Sequence, residues 1–89
     1  MKIEFDLDKD EANRAKHGIS LGAAEQIDHD QAVRIEDRRF DYGETRLIAY
    51  GPIDGRLHCV WYTLRGDVVR IIGLRKANDR ERKRYERLA

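Results

Sequence analysis

Two apolar runs in residues 61–75 decide the fold; together they read WYTLRGDVVRIIGLR. Val, Ile, Trp, Tyr and Thr dominate both runs, and these residue types prefer the pleated, half-buried surface of a β-sheet. Gly66 and Asp67 lie between the runs and tolerate the backbone angles of a tight turn. The stretch therefore predicts a β-hairpin that turns at Gly66-Asp67.

Three arginines interrupt this predicted hairpin. In a purely structural hairpin, Arg65 and Arg70 would lie on the solvated face or near the strand ends. Arg75 differs because it closes an apolar run, which puts a guanidinium at the rim of an apolar sheet. The rigid fork of a guanidinium matches two phosphate oxygens. Arg75 is therefore a candidate phosphate clamp.

Two further strand patterns precede the hairpin. Val33 and Ile35 alternate with polar residues, which is typical of a half-buried strand. Residues 45–51 form the next pattern, and an Asp-Gly turn signal separates it from residues 56–65. Strands joined by tight turns pair antiparallel. With residues 68–75 as the last strand, the sequence predicts a four-stranded antiparallel meander.

Helices are predicted on both sides of these strands. Asp6 is an N-cap candidate for a helix over residues 9–17, and Gly18 is a natural stop for it. A second short helix is predicted over residues 20–27, and a charged C-terminal helix over residues 80–88. Before the first helix, the chain favours either a short strand or an extended lead-in.

The predicted fold is α+β: two N-terminal helices, a four-stranded antiparallel meander sheet and a C-terminal helix. The 89 residues are expected to form a single domain, residues 1–89, because a chain this short builds only one small core. Apolar residues make up 40% and charged residues 39% of the chain, and the apolar residues cluster, which argues against disorder.

The net charge of +1 excludes attraction of nucleic acid by the molecule as a whole. Such binding would need a segregated basic face. Residues 75–89 hold seven Lys or Arg against three acids, whereas residues 1–11 hold five acids against two lysines. The charges are therefore segregated along the chain.

The single cysteine, Cys59, excludes an internal disulfide, and the three histidines are not spaced as a metal set. We therefore expect no metal site and no cofactor. The sequence has neither a signal peptide pattern nor an apolar run near eighteen residues. We expect a soluble protein of the cytoplasm.

Four ordered blocks of residues resemble the BrnT family of toxins from bacterial type II toxin–antitoxin systems, whose fold is similar to that of RelE-type ribonucleases. They are Asp6, Lys9 and Asn13 with KHGIS at 16–20; Asp37 with GETR at 43–46; YTLR at 62–65; and RIIGLRKA at 70–77 with Glu81 and Tyr85. The chain departs from the family pattern at Gly73-Leu74, where a serine and an alanine usually precede the arginine. This departure removes a hydroxyl near the expected phosphate site.

The resemblance implies metal-independent cleavage of RNA that inhibits translation. It also implies a cognate BrnA-like antitoxin, one that binds DNA and blocks the toxin in a higher-order complex. In such cleavage the RNA supplies the nucleophile, its own 2′-hydroxyl. The protein must take up that proton, stabilise the charge that grows on the phosphate and protonate the leaving 5′-oxygen.

The first three predicted catalytic residues are Arg46, Arg65 and Arg75. A meander places them on neighbouring strands, so we expect their side chains to converge on one phosphate. Glu44, two residues before Arg46, is either a general base or the salt-bridge partner of Arg46. The remaining predicted site residues are Lys16 and His17, as phosphate contacts or proton donors, and Tyr62, Arg70 and Lys76, as RNA contacts.

Some of these residues also have a purely structural explanation. Lys16 and His17 end a helix, where cations favour the helix dipole. Tyr62 could stack on a base, but a tyrosine in a strand is more often part of the core. Trp61 and Tyr62 point to opposite faces of their strand, so at most one of them belongs to the core.

The alternative function is a catalytically inactive, toxin-like binding module that acts in an antitoxin or repressor complex. The missing serine and the low net charge favour this alternative, whereas the three arginines favour an enzyme. A DNA-binding domain is disfavoured because no helix-turn-helix with a recognition helix is apparent in the sequence.

Overall fold

The structure, a computed structural model, describes residues 2–88 and has an α+β fold. The strands in these residues are β1 (Lys2–Glu4), β2 (Val33–Asp37), β3 (Arg46–Ile53), β4 (Arg56–Arg65) and β5 (Val68–Lys76). The helices are α1 (Leu7–His17), a 3₁₀ helix (Leu21–Gln26) and α2 (Asp79–Leu88).

The five strands form a mixed sheet in the order β1-β5-β4-β3-β2. β1 pairs parallel to β5, whereas all other neighbours pair antiparallel. The prediction of a four-stranded antiparallel meander is therefore wrong, because β1 adds a fifth, parallel strand at the edge. Three residues are too few to show an alternating pattern, and the partner of β1 lies near the other end of the chain.

The N-terminal helices begin at side-chain caps. The Asp6 carboxylate accepts hydrogen bonds from two backbone N–H groups in the first turn of α1, at 2.8 and 3.1 Å. Ser20 accepts the Gly22 N–H at 3.2 Å at the start of the 3₁₀ helix. The second predicted helix is thus a 3₁₀ helix, the tighter form that short helical segments commonly adopt.

A β-bulge in β5 decides which of its side chains share a face of the sheet. The register of β4 with β5 shifts between Trp61 and Tyr62, and this shift leaves Ile72 as the extra residue. Arg70 and Arg75 are five residues apart and would lie on opposite faces of a regular strand. Because of the bulge, both lie on the same face.

The hydrophobic core lies between the 3₁₀ helix and one face of the sheet, here called the core face. Leu21, at 0% exposure, and Ala24 enter from the 3₁₀ helix. The sheet contributes Ala49, Ile53, Val60, Tyr62, Val69, Ile71 and Leu74. These strand residues alternate with the residues that point to the opposite face.

Helix α1 is attached to β5 by polar contacts, and its only buried residue is Asp10. The Asn13 side chain donates to the Leu74 carbonyl at 2.8 Å and accepts the Leu74 N–H at 3.3 Å. It also donates to the Ile19 carbonyl at 2.9 Å. Asn13 therefore completes the edge of β5 beyond the end of β1.

Asp10 ties the start of the 3₁₀ helix to α1. Its carboxylate accepts the Leu21 N–H at 2.7 Å and the Ser20 hydroxyl at 2.9 Å. The Leu21 hydrogen bond is the main cause that lowers the pKa of Asp10 below its ordinary value. The ionised carboxylate is thus the form that holds the two helices together.

Helix α2 packs on the sheet face opposite the core face. Tyr85 joins a small apolar cluster there with Leu57, Cys59 and Ala77, and its hydroxyl donates to the Gln31 carbonyl. None of the α2 residues is buried. No helix within residues 2–88 is both long enough and apolar enough to cross a membrane.

Candidate functional site

The sheet face opposite the core face carries four arginines, and we call it the arginine face. They are Arg46 on β3, Arg65 on β4, and Arg70 and Arg75 on β5. Arg46 and Arg70 both lie directly opposite Thr63, one on each side. Arg65 lies two residues beyond Thr63 on the same strand and therefore on the same face.

Arg46, Arg65 and Arg70 surround Thr63, and we call these three residues the arginine cluster. Directly opposite residues in an antiparallel pair have Cβ atoms about 5 Å apart, and diagonal neighbours about 7–8 Å apart. Three long guanidinium side chains at these spacings can reach one phosphate-sized anion. Thr63 itself is 2% exposed, and its hydroxyl donates to the Thr45 carbonyl at 2.8 Å.

The members of the cluster differ in their acidic partners. Arg70 binds Glu4 with an N–O distance of 3.2 Å, and Arg65 lies 3.9 Å from Glu44. Arg46 has no salt bridge with any residue in the described range 2–88, and its buried Nε has no hydrogen-bond acceptor there. Arg46 therefore forms no salt bridge within residues 2–88, although the ionised Asp37, which pairs with Arg39, lies directly opposite it on β2.

Tyr42 holds the Arg46 guanidinium in place. The Arg46 Cζ atom lies 4.0 Å from the centre of the Tyr42 ring, a cation–π contact. The Tyr42 hydroxyl donates to Asp37 at 2.9 Å. A buried carboxylate therefore fixes the ring on which Arg46 rests.

Asp37, the carboxylate that fixes the Tyr42 ring, is ionised. Its side chain is 1% exposed and accepts two hydrogen bonds from the Arg39 guanidinium, both at 2.9 Å. These bonds are the largest cause that holds the pKa of Asp37 well below its ordinary value. Tyr42 and Asp37 are not among the predicted site residues, and the signal for them is two aromatics in an otherwise polar connection.

Arg75 lies on the arginine face but outside the cluster. It pairs with Cys59, which is four residues, or about 13 Å, from Thr63 along β4. Both of its terminal nitrogens bind the Glu81 carboxylate, at 2.7 and 2.9 Å, and its Cζ atom lies 4.9 Å from the centre of the Trp61 ring. The structure thus places Arg70, rather than Arg75, beside Arg46 and Arg65.

Two other predicted residues have different neighbours from those expected. Glu44 precedes β3, and it forms its salt bridge with Arg65 rather than with Arg46. Tyr62 is 8% exposed and lies in the core, so its ring is not open to a base. Trp61, on the arginine face, is the more accessible ring of the two.

Lys16, His17 and Lys76 are exposed. Asn13, one turn earlier in α1, bonds to Leu74 of β5. The end of α1 therefore lies nearer to Arg75 than to the arginine cluster. The predicted site residues therefore form two groups. One group is at the arginine cluster, and the other lies around Arg75, toward the other end of β5.

A family model described as "Ribonuclease toxin, BrnT, of type II toxin-antitoxin system" matches residues 5–81. The chain belongs to the BrnT family. The resemblance read from the four blocks of sequence is thereby confirmed, and membership makes the chain a ribonuclease toxin with an antitoxin as partner. A search of curated proteins finds no match.

The BrnT match covers the whole arginine cluster and ends at Glu81. Both residues of the Arg75–Glu81 ion pair therefore lie within the BrnT segment. The Arg75 hydrogen bonds are the main cause that lowers the pKa of Glu81, so the carboxylate is ionised at neutral pH. This ion pair joins α2 to the sheet.

Replacing Glu81 with glutamine should destabilise the protein by about 1 kcal/mol at pH 7, since the pair is partly open to solvent. The ordinary pKa of glutamate is 4.5, and the pKa of Glu81 in the folded protein is lower. The ionised carboxylate therefore stabilises the fold above pH 4.5. This stabilisation is lost as the pH falls through the lowered pKa. Urea unfolding at pH 7 and pH 3 measures the difference. Glu86→Gln, on the exposed surface of α2, is the control; equal losses for Glu81→Gln at both pH values would contradict the expectation.

Proposed function

We propose that this BrnT-family chain is an endoribonuclease that cleaves RNA without a metal ion and thereby inhibits translation. The arginine cluster carries the proposal, because three arginines are neighbours of Thr63 on one face of the sheet. Arg46 is the key member, since it forms no salt bridge with an acid in residues 2–88. A phosphate would supply the salt-bridge partner that Arg46 lacks there.

The cluster can bind the scissile phosphate and stabilise its transition state. Hydrogen bonds to charged groups contribute roughly 1.5–3 kcal/mol each. Arg46 is already held by Tyr42, so little side-chain entropy remains to be lost when an anion binds. Arg65 and Arg70 can exchange their contacts with Glu44 and Glu4 for phosphate oxygens.

The reaction needs only groups present in the RNA, the protein and water. The 2′-oxygen attacks the phosphorus, the bond from phosphorus to the 5′-oxygen breaks, and a 2′,3′-cyclic phosphate forms. Glu44 takes the proton of the 2′-hydroxyl, because its carboxylate lies beside Arg65 at the edge of the cluster. The leaving 5′-oxygen takes a proton from water, and the hydroxide that remains takes the proton from Glu44, which restores the water and the carboxylate.

Arg75, Lys76, Lys16 and His17 serve the flanking phosphates in this proposal. All four lie toward the other end of β5, away from the cluster. An RNA strand that crosses the arginine face would meet Arg75 on one side of the scissile phosphate, whereas Lys76, the next residue, points to the opposite face. Arg75 would contribute only after its contact with Glu81 weakens.

Purified protein should cleave RNA in the presence of EDTA, with products that end in a 2′,3′-cyclic phosphate and a 5′-hydroxyl. Gel electrophoresis and end-group analysis by mass spectrometry measure both. Cleavage that stops on chelation and returns with added Mg²⁺ would overturn the metal-independent mechanism. Absence of cleavage by folded protein under both conditions would overturn the enzyme proposal.

A BrnA-like antitoxin is the partner in this proposal, within a higher-order toxin–antitoxin complex. It would neutralise the toxin by excluding RNA from the arginine face. Family membership supports an antitoxin as partner. The cluster offers three positive charges to an acidic segment of such a protein.

A catalytically inactive binding module is the second candidate function. The observation that favours it is an apolar groove of about 560 Å³ on the core face, next to the 3₁₀ helix. Leu64, 54% exposed, lies at its rim. Protein partners bury apolar surface of this kind, and the antitoxin is the partner that the family supplies. The cleavage assay in EDTA separates the two functions.

A further inference from the structure

The connection between β2 and β3 forms an open hollow of about 340 Å³ beside the arginine cluster. Phe40, Tyr42 and Glu44 contribute to its lining. The hollow shares Tyr42 and Glu44 with the surroundings of Arg46 and Arg65. It is therefore continuous with the proposed phosphate site.

Phe40 is an aromatic residue that folding does not bury. It is 69% exposed, although its ring makes an edge-to-face contact with Tyr42, with ring centres 5.8 Å apart and planes at 73°. Tyr42 in turn is fixed by Asp37 and carries Arg46. The Phe40 ring is thus held against a rigid support and presents its apolar surface to solvent.

The position of Phe40 matches the geometry of a nucleotide. Its ring centre lies within about 10 Å of the Arg46 guanidinium, because both groups contact the Tyr42 ring. A base attached to a sugar next to a phosphate on Arg46 can reach this ring. Proteins that bind single-stranded RNA commonly stack unpaired bases on exposed aromatic rings.

The rim of the hollow also offers polar groups to the edge of a base. Glu36 and Arg38 form an exposed ion pair at 2.7 Å, which the edge of a base can open, and Asp41 is an exposed acceptor that also takes the Gly43 N–H at 3.0 Å. Carboxylates accept from exocyclic amino groups, and guanidinium groups donate to base carbonyls and ring nitrogens. The hollow can therefore distinguish bases as well as stack them.

We propose that this hollow is a nucleobase subsite, in which one unpaired RNA base stacks on Phe40 while the adjacent phosphate lies on Arg46. The subsite rests on the proposed function, because it positions the strand for cleavage at the cluster. It makes Phe40 a substrate-binding residue. The ligand is single-stranded RNA, since an unpaired base reaches the ring without first breaking base pairs.

The test is a binding measurement with RNA that cannot be cleaved. The probe is a short 2′-O-methyl RNA with one 2-aminopurine and abasic residues elsewhere, and the comparison is the same strand with every base absent. 2-Aminopurine loses fluorescence when it stacks on an aromatic ring. Wild-type protein should quench the probe and bind it more tightly than the fully abasic strand.

Phe40→Ala should weaken binding of the probe by about 5- to 150-fold, abolish the quenching and leave binding of the fully abasic strand unchanged. Phe40→Trp should restore binding, because it keeps an aromatic face. Leu7→Ala, which removes an apolar side chain that is 76% exposed on α1, is the matched control and should have no effect.

Failure of the subsite can be distinguished from failure of the proposed function. If wild-type protein cleaves ordinary RNA but Phe40→Ala binds and quenches the probe as wild type does, only the subsite is overturned. If wild-type protein neither binds the probe nor cleaves RNA, both proposals are overturned. If Phe40→Ala weakens binding of the probe and of the fully abasic strand equally, the substitution disturbs the structure instead of removing a stacking surface. That result overturns the subsite.

Discussion

Arg46→Ala is expected to lower the rate of RNA cleavage by about 10- to 150-fold, which corresponds to the loss of one charge-assisted hydrogen-bonding group. The reason is that Arg46 is the member of the cluster whose charge no acid in residues 2–88 pairs. Its stability cost should be small, because its buried Nε already lacks an acceptor and contributes no hydrogen bond. Initial rates with a defined RNA, together with urea unfolding, measure both quantities.

Two further variants make this expectation specific. Arg46→Lys keeps the charge but loses the planar fork and the contact with Tyr42, so it should recover only part of the rate. Arg56→Ala is the matched control, because Arg56 is an exposed arginine that pairs with the core-face residue Ile53. Equal losses in Arg46→Ala and Arg56→Ala would show that net charge, rather than the cluster, drives the activity. No loss in Arg46→Ala would remove the cluster from the mechanism.

Asn13→Ala is expected to produce a large loss of stability, about 2–3 kcal/mol, or roughly 10–20 °C in the melting temperature. The variant leaves the Leu74 N–H and the carbonyls of Leu74 and Ile19 without their partner. Buried or partly buried polar groups that lose a partner cost about 1–3 kcal/mol each. Equilibrium urea unfolding of the purified variant measures the change.

The control for Asn13→Ala lies two residues earlier on α1. Glu11→Ala removes an exposed side chain from the same helix and should change stability by less than about 0.5 kcal/mol. Asn13→Asp retains an acceptor but loses both donor contacts, so it should lie between wild type and Asn13→Ala. A loss below about 0.5 kcal/mol in Asn13→Ala would mean that water replaces the amide at the edge of β5.

Most of the local structure follows from patterns in the amino-acid sequence. The turns at Asp54-Gly55 and Gly66-Asp67 and the apolar alternation around them fixed strands β3 to β5 to within one or two residues. Such signals are local, since turn angles and side-chain alternation depend on near neighbours in the chain. The ordered motifs also identified the BrnT family, which the match over residues 5–81 bears out.

Only part of the candidate site could be read in the same way. The sequence pattern selected Arg46 and Arg65, which are members of the arginine cluster. It predicted Arg75 as the third member, whereas in the structure Arg70 lies beside Thr63 and Arg75 lies outside the cluster. Whether these residues catalyse remains a prediction. The support that Asp37 and Tyr42 give to Arg46 has only one signal in the sequence, two aromatics in a polar connection, because it depends on how this irregular connection folds back.

The strand β1 and the bulge in β5 depend on pairing between segments that are distant in the sequence. β1 is too short for a pattern and becomes a strand only beside β5. The bulge at Ile72 places Arg70 and Arg75 on one face, although counting by twos along a regular strand would separate them. Register and bulges are set by contacts across the sheet, and a linear pattern of residues does not contain those contacts.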